Sequence, residues 1–249
     1  MKFAGIIAEY DPFHNGHAWQ LAQAKALGAE RVAVAMSCSL VQRGALPLLP
    51  EAVRTQSALT CGADLVFALP APCACAGAEA FARAGVALLA AAGCDGLVFG
   101  AETPDAALLM EAAELLDSDS YRAALKAQLA GGARSFAAAR QAAAAKLASD
   151  ERVAALLDKP NNNLAVEYCR AIRSLAPRME AYPLPRQGAN HGEALHSAHG
   201  QFASASALRK LWAEGGADAV APYVPEAVFP LYQEAYTAGQ YTDFSAAGR

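Results

Sequence analysis

The chain has 249 residues, of which 55% are hydrophobic, and its formal net charge is −4. This composition excludes a disordered chain and supplies enough apolar material for a buried core. The negative charge gives no basic footprint for nucleic acid, and no apolar run reaches the ~18–20 residues of a membrane span. Because the N-terminus has no apolar segment typical of a signal peptide, we expect a cytoplasmic protein that does not contact membranes.

Short apolar runs alternate with helical patterns in the first hundred residues. The predicted strands are 3–8, 31–36, 64–70 and 96–99, and the predicted helices between them are 17–27, 51–60 and 76–92. Continuous apolar strands separated by helices are typical of a parallel sheet covered on both faces. We therefore predict an α/β fold with a Rossmann-like parallel sheet and added helices. Its ligand should lie at the carboxyl ends of the strands.

The middle of the chain, residues 103–175, is predicted to be helical. Thr103 is the expected N-cap of the first of these helices, with Pro104 at its first position. Gly131 and Gly132 separate two of the helices. The remaining predicted elements are a turn at 159–163 that opens a helix over 164–175, a fifth strand at 179–183, a polar loop at 187–201, and helices at 204–212 and 226–236.

The six cysteines and the loop histidines form no familiar metal-binding pattern. Cys73 and Cys75 are separated by one residue, and no second cysteine pair follows at zinc-site spacing. His191, His196 and His199 likewise fit no metal template. We expect reduced thiols, solvated histidines and no bound structural metal.

The turn after the first strand carries the pattern His14-x-Gly16-His17. Gly16 permits close approach of the backbone to a ligand, and a helix N-terminus attracts anions. Two imidazoles three residues apart can both face a phosphate, which favours adenylyl transfer because charge builds on the α-phosphate. The alternative for an isolated pattern is one capping residue and one surface histidine.

The longer string Glu9-Tyr10-Asp11-Pro12-Phe13-His14-Asn15-Gly16-His17 resembles the bacterial tRNA(Met) cytidine acetate ligase family of the H-x-G-H nucleotidylyltransferase superfamily, in which Asn replaces Asp11. The resemblance is collinear over about residues 3–212. Its further segments are Met36-Ser37-Cys38-Ser39-Leu40-Val41-Gln42-Arg43-Gly44, Gly62-Ala63-Asp64-Leu65-Val66, Ala78-Glu79-x-Phe81-Ala82, Phe99-Gly100-Ala101-Glu102, Pro160-Asn161-Asn162, Glu167-Tyr168 and Ser204-Ala205-Ser206-Ala207-Leu208-Arg209.

This resemblance implies a two-step ligase. ATP, with Mg²⁺, and acetate would form acetyl-adenylate, and the acetyl group would pass to N4 of the wobble cytidine of elongator tRNA(Met). The implied catalytic residues are His14, His17 and Arg209, and Gln42 and Arg43 would contact the substrate. The implied nucleotide-binding residues are Ile7, Ala8, Glu9, Tyr10, Asp11, Pro12, Phe13, Asn15, Gly16, Gly100, Asn161, Arg186 and Ser204.

Two of these residues have structural alternatives, since Asn161 is equally suited to cap a helix and Arg209 to lie solvated on one. The chain also departs from the family pattern, with Cys38 in place of Gly and Glu51 in place of Lys. Two other functions remain open: a small-molecule nucleotidylyltransferase, or a nucleotide-binding homologue with impaired tRNA activity.

We predict a catalytic domain at 1–215. Residues 216–249 are expected to be a tail that begins the family's helical tRNA-binding region in truncated form.

Overall fold

The structure is a computed structural model that describes residues 1–41, 44–133, 135–186, 195–197 and 200–244, except the side chains of 195–197, 200 and 201. Its strands are β1 (Phe3–Ala8), β2 (Arg31–Ser37), β3 (Leu65–Leu69), β4 (Gly96–Ala101), β5 (Glu180–Pro185), β6 (Leu195–Ser197) and β7 (Gly200–Phe202). Its helices are α1 (Asn15–Ala26), α2 (Glu51–Thr60), α3 (Ala71–Ala74), α4 (Ala78–Ala91), α5 (Ala106–Asp117), α6 (Asp119–Ala130), α7 (Phe136–Leu147), α8 (Glu151–Leu156), α9 (Pro160–Leu175), α10 (Ala205–Val220) and α11 (Phe229–Thr237), with a 3₁₀ turn at Ala221–Tyr223.

Five strands form one parallel sheet in the order β3-β2-β1-β4-β5. Alternate side chains of a strand point to opposite faces of its sheet. In β2, Val32 and Val34 therefore enter one hydrophobic cluster, whereas Ala33 and Ala35 enter another. The predicted α/β class and two-sided parallel sheet are confirmed. The short strands β6 and β7 form a separate antiparallel pair.

The helices cover the two faces of the sheet unequally. Helices α1, α2, α10 and α11 bury apolar residues in the cluster that contains Val32 and Val34. Helices α4 to α9 contribute to the cluster that contains Ala33 and Ala35. Helix α1 follows β1 and α5 follows its neighbour β4, so the chain leaves these adjacent strands toward opposite faces. That reversal opens a crevice at their carboxyl ends.

At the starts of α1 and α5, the capping residue is not the one that the sequence predicts. The prediction of Thr103 as an N-cap is wrong: the carboxylate of Asp105 accepts from the Leu108 amide at 3.1 Å, and α5 begins at Ala106. Helix α1 begins two residues before the predicted start, because the imidazole of His14 accepts from the Gly16 amide and serves as the cap.

Helix α10 continues past the predicted end at residue 212 because Gly216 permits a break that other residues would resist. Gly216 has φ +67° and ψ −154°, and the helix resumes beyond it as far as Val220. A Cβ at Gly216 would lie 2.5 Å from the Tyr236 ring, so glycine also allows α11 to pack closely.

The segment after residue 216 packs against the rest of the chain. Val220 and Tyr232 share a hydrophobic cluster with Ile6 of β1. The Tyr232 hydroxyl donates to the Phe13 carbonyl at 2.6 Å. The proposed division at residues 215 and 216 stays a prediction. Of the helices that the structure describes, none has the length and apolarity needed to cross a bilayer.

Candidate active site

A cleft of about 390 Å³ lies at the carboxyl ends of β1, β4 and β5. Helix α1 closes it on one side, and the first turns of α9 and α10 contribute to its rim. Among the described residues, it is lined by Ile7, Ala8, Glu9, Tyr10, Asp11, His14, Gly16, His17, Trp19, Gln20, Phe81, Phe99, Gly100, Asn161, Leu164, Tyr168, Leu184, Pro185, Arg186, Ala203, Ser204 and Ala205.

The turn between β1 and α1 is held from behind by buried aromatic rings. Tyr10 has φ +51°, and its ring is 1% exposed. It packs edge-on against Phe13 and His17, with centroids 4.9 and 4.8 Å away. Gly16 is required locally, because a Cβ there would lie 2.9 Å from the His14 ring. These contacts fix where the two histidines enter the cleft.

The two histidines are stacked, and backbone hydrogen bonds fix their tautomers. Their ring centroids are 3.7 Å apart. Nδ1 of His14 accepts from the Gly16 amide at 3.0 Å, and Nδ1 of His17 accepts from the His14 amide at 3.3 Å. A neutral imidazole with Nδ1 as acceptor carries its proton on Nε2. Each histidine therefore offers an Nε2–H donor at the N-terminus of α1.

Both imidazoles are neutral at pH 7. Burial, and to a smaller extent the charge of Arg186, lowers the pKa of His14 to about 4. Burial, His14 and Arg186 lower the pKa of His17 well below its usual value. Arg186 lines the same cleft as the two rings. This end of the cleft thus combines two neutral donors, one cation and a helix N-terminus, which suits a polyphosphate.

Arg209, predicted to hold pyrophosphate, does not line the cleft in the described part of the chain. Its Nη1 donates to the Asp11 carbonyl at 2.7 Å and pairs with Asp11 Oδ2 at 3.0 Å. Asp11 is nearly buried, and its Oδ1 accepts from the Leu48 amide at 2.6 Å. Arg209 lines a second cavity of about 250 Å³ with Trp212. The ion pair therefore joins a residue that lines the cleft to one that lines the second cavity.

Arg54 fixes the loops beside the cleft, a role that the sequence analysis missed. Its side chain is fully buried, and it donates to the carbonyls of Glu9 and Ser37, both at 2.7 Å, and of Leu49 at 3.0 Å. It also donates to the carbonyl of Cys38. Cys38, which replaces the family's Gly, is buried, and its thiol donates to the Met36 carbonyl at 3.3 Å.

The other predicted residues divide into three groups. Ile7, Ala8, Glu9, Tyr10, Asp11, Gly16, Gly100, Asn161, Arg186 and Ser204 join the histidines in the cleft. Pro12, Phe13 and Asn15 are buried behind it, where Asn15 Nδ2 donates to the Pro222 carbonyl at 3.2 Å. Gln42 and Arg43 lie outside the described residues, as do His191 and His199.

Several cleft residues were not predicted, although some signals were present. Phe81, Phe99 and Tyr168 belong to sequence segments that carry the family resemblance, and Gln20 lies one helical turn after His17. Glu102 also belongs to such a segment, and the structure places its carboxylate against Asn161.

No group of three or more His, Cys, Asp or Glu side chains is arranged to hold a metal ion within the described ranges. All six cysteines are free thiols.

Comparisons with known proteins match nearly the whole chain. The family model for HIGH Nucleotidyl Transferase matches residues 1–247. Proteins named tRNA(Met) cytidine acetate ligase from Syntrophotalea carbinolica and Caldanaerobacter subterraneus are 41% identical over 218 residues and 35% identical over 244 residues. The matches cover 86% and 96% of this chain but 52% and 60% of those proteins. The chain therefore spans little more than half the length of these curated relatives.

Two crystal structures of Thermotoga maritima TmcAL have the same fold as this chain. The form bound with alpha-thio ATP has a TM-score of 0.86 at 30% identity, and an apo form has 0.88 at 32% identity. Each comparison covers 97% of this chain, and 57% and 58% of the respective TmcAL chains.

Proposed function

The chain belongs to the HIGH nucleotidyl transferase family, and from this premise we propose that it activates acetate with ATP and acetylates N4 of the wobble cytidine of elongator tRNA(Met). The observation that carries this proposal is the pair of Nε2–H donors on His14 and His17 beside Arg186. The names of the curated relatives, and the ATP analogue bound to the TmcAL neighbour, support the choice of substrates.

In the proposed first step, a carboxylate oxygen of acetate attacks the α-phosphorus of ATP. The bond from that phosphorus to the bridging oxygen breaks, and acetyl-adenylate and pyrophosphate form. His14 and His17 donate to α-phosphate oxygens as charge builds there, and Arg186 offsets that charge. Neutral donors suit this task because their hydrogen bonds to the phosphate oxygens strengthen as negative charge develops there. They also leave the net charge of the cleft unchanged.

Arg209 is assigned to the departing pyrophosphate. Its Nη1 is paired with Asp11, so Nη2 and Nε are the groups left to meet phosphate oxygens while that pair is kept. Ile7 and Ala8 of β1 and the following residue Glu9 line the cleft, and we assign them to the floor beneath the triphosphate. Ser204 accepts from the Ala207 amide at 3.2 Å and so fixes the start of the helix that carries Arg209.

In the proposed second step, the N4 amine of cytidine attacks the acetyl carbonyl carbon. The bond from that carbon to the phosphate oxygen breaks, AMP leaves, and the amine loses one proton. We assign Gln42 and Arg43 to the tRNA side of this step on the basis of the sequence resemblance. Magnesium would enter with the ATP phosphates, because that ion is commonly held by one or two carboxylates together with substrate phosphates.

The decisive experiment incubates the protein with ATP, acetate and elongator tRNA(Met), followed by nucleoside analysis for N4-acetylcytidine. Acetate-dependent ATP–pyrophosphate exchange is measured in parallel to isolate the first step. We expect His14→Ala to reduce exchange by about 10²-fold or more, as for loss of a donor to developing charge. Arg122→Ala, at an exposed position on α6, serves as the control. Exchange that requires a phosphate-bearing acceptor instead of acetate would contradict the proposal and favour a small-molecule nucleotidylyltransferase.

A further inference from the structure

Glu102, directly after β4, binds the first turn of α9 through both of its carboxylate oxygens. Oε1 accepts from the Asn161 amide at 3.2 Å and from Asn161 Nδ2 at 2.6 Å. Oε2 accepts from the Asn162 amide at 2.7 Å. Partial burial acts to raise the pKa of Glu102, but these hydrogen bonds outweigh it and lower the pKa below its usual value. Glu102 is therefore a carboxylate at neutral pH.

Asn162 also connects the start of α9 to the residues after β4. Its side chain is 1% exposed. Its Oδ1 accepts from the Thr103 amide at 3.0 Å, and its Nδ2 donates to the Thr103 hydroxyl at 3.1 Å. The start of α9 is thereby tied to the end of β4 by side chains as well as by packing. The position of Asn161 is accordingly fixed relative to the floor of the cleft.

The carboxylate also fixes which way the Asn161 amide group points. An ionised carboxylate only accepts hydrogen bonds, so the atom that faces Glu102 must be the Nδ2 donor. The remaining polar atom of the side chain is Oδ1, which only accepts. Asn161 lines the cleft, so Oδ1 is the polar side-chain atom left to accept from a ligand there.

The base of a bound nucleotide should lie at this end of the cleft. The phosphate-binding groups are grouped at the N-terminus of α1, after β1. The cleft extends from there to β4 and β5, where Leu164, Leu184 and Pro185 provide apolar walls and Gly100 leaves the strand end uncovered. Apolar walls with a few fixed polar groups are typical of sites for a purine ring.

Adenine and guanine differ in the group at position 6, where a hydrogen-bond acceptor such as Asn161 Oδ1 can distinguish them. Adenine carries an exocyclic amine at position 6, which donates, whereas guanine carries a carbonyl oxygen there, which accepts. We propose that Glu102 is a positioning residue that holds Asn161 Oδ1 toward the base and thereby makes the cleft select adenine over guanine nucleotides. This inference rests on the proposed use of ATP and adds the source of its base specificity.

Nucleotide binding without acetate or tRNA tests the inference separately from the complete reaction. The dissociation constants of ATP and GTP are measured by calorimetric titration for the wild type, Glu102→Gln, Asn161→Ala and the double variant. Glutamine presents a donor as well as an acceptor, so the Asn161 amide can turn over. We expect the wild type to prefer ATP, and Glu102→Gln to reduce the ATP-to-GTP affinity ratio at least tenfold.

The double variant separates positioning from a general structural role. If Glu102 acts through Asn161, adding Glu102→Gln to Asn161→Ala should leave the ratio of the single Asn161→Ala variant unchanged. Asn163→Ala is the matched control. Its Nδ2 donates to the carbonyls of Leu157 and Lys159 at 2.7 and 3.1 Å, so this change perturbs the same helical turn without touching Asn161. Its ratio should equal that of the wild type.

Two results would overturn the inference: equal wild-type affinities for ATP and GTP, or an ATP-to-GTP affinity ratio that Glu102→Gln leaves unchanged, including an equal loss of both affinities. In each of these cases the proposed acetate activation can still be intact, as pyrophosphate exchange would report. A wild type that binds neither nucleotide would overturn both proposals.

Discussion

His14 and His17 serve the fold and the candidate chemistry with different ring atoms. Their Nδ1 atoms accept backbone amides and cap α1, and their Nε2–H groups remain for a ligand. Both tasks require the neutral ring, which burial enforces by lowering both pKa values. At this scale, stability and function depend on the same protonation state.

Lowering the pH should therefore destabilise the folded protein through His14. In the unfolded chain this imidazole binds a proton near pH 6.5, but in the folded chain only near pH 4. Between these values the unfolded state binds more protons, so the free energy of unfolding falls as the pH falls. Each unit of difference between the pKa values of the folded and unfolded states corresponds to about 1.4 kcal/mol in the free energy of unfolding. This value is an upper bound here, because the ring is only partly buried.

Urea unfolding of the wild type and His14→Asn at pH 7 and pH 5 measures this contribution. Asparagine can cap a helix without titrating in this range. We expect the stability difference between wild type and variant to shrink at pH 5. An equal difference at both pH values would show that His14 is not held neutral by the fold.

The helical layer beneath the cleft is joined by a buried ion-pair network. Glu167 of α9 accepts from Arg140 of α7 and from Arg170, both at 2.7 Å. Arg170 also donates to Asp117 at the end of α5, at 2.8 Å. Since the next residue, Tyr168, lines the cleft, this network fixes the helix that forms one wall of the site.

Removal of the central carboxylate should destabilise these helices strongly. The Glu167 side chain is 2% exposed, and Glu167→Gln removes its charge from Arg140, whereas Arg170 keeps Asp117. The loss should be about 3 kcal/mol, as for breaking a buried ion pair. Asp119→Asn is the control, because Asp119 is 95% exposed in its pair with Arg122 and should cost at most about 1 kcal/mol. Chemical denaturation measures both. Equal losses for the two variants would contradict a dominant role for burial.

At the scale of the whole molecule, the two proposed substrates make different electrostatic demands. The proposed ATP site consists of a compact group of donors and one arginine. A tRNA presents many phosphates to a chain whose net charge is −4 and which spans little more than half the length of its curated relatives.

The two reaction steps should consequently differ in their dependence on salt. Acetate-dependent pyrophosphate exchange should change little between 50 and 200 mM salt, on the order of twofold or less, because the cleft groups are partly buried. Affinity for tRNA should fall about a hundredfold per tenfold rise in salt if three phosphates of single-stranded RNA are neutralised. Exchange assays and tRNA-binding titrations over the same salt series provide the comparison. A steep fall in exchange would instead assign exposed charges to the first step.

Elements with local signals could be predicted from the sequence alone. Continuous apolar runs predicted the five sheet strands to within about two residues, and the H-x-G-H turn placed two histidines and Gly16 at the entry to a helix. These predictions succeed because the apolar run of a strand covered on both faces, turn chemistry and the need for a small residue all depend on neighbours in the chain.

The pairing of side chains in the candidate site could be seen only in the tertiary structure. Arg209 pairs with Asp11 across 198 positions, and Glu102 orients Asn161 across 59. The pKa values of the histidines depend on burial beneath elements from the whole chain. Such properties follow from which groups the packed sheet brings together and how far water is excluded from them, and residue spacing along the chain specifies neither.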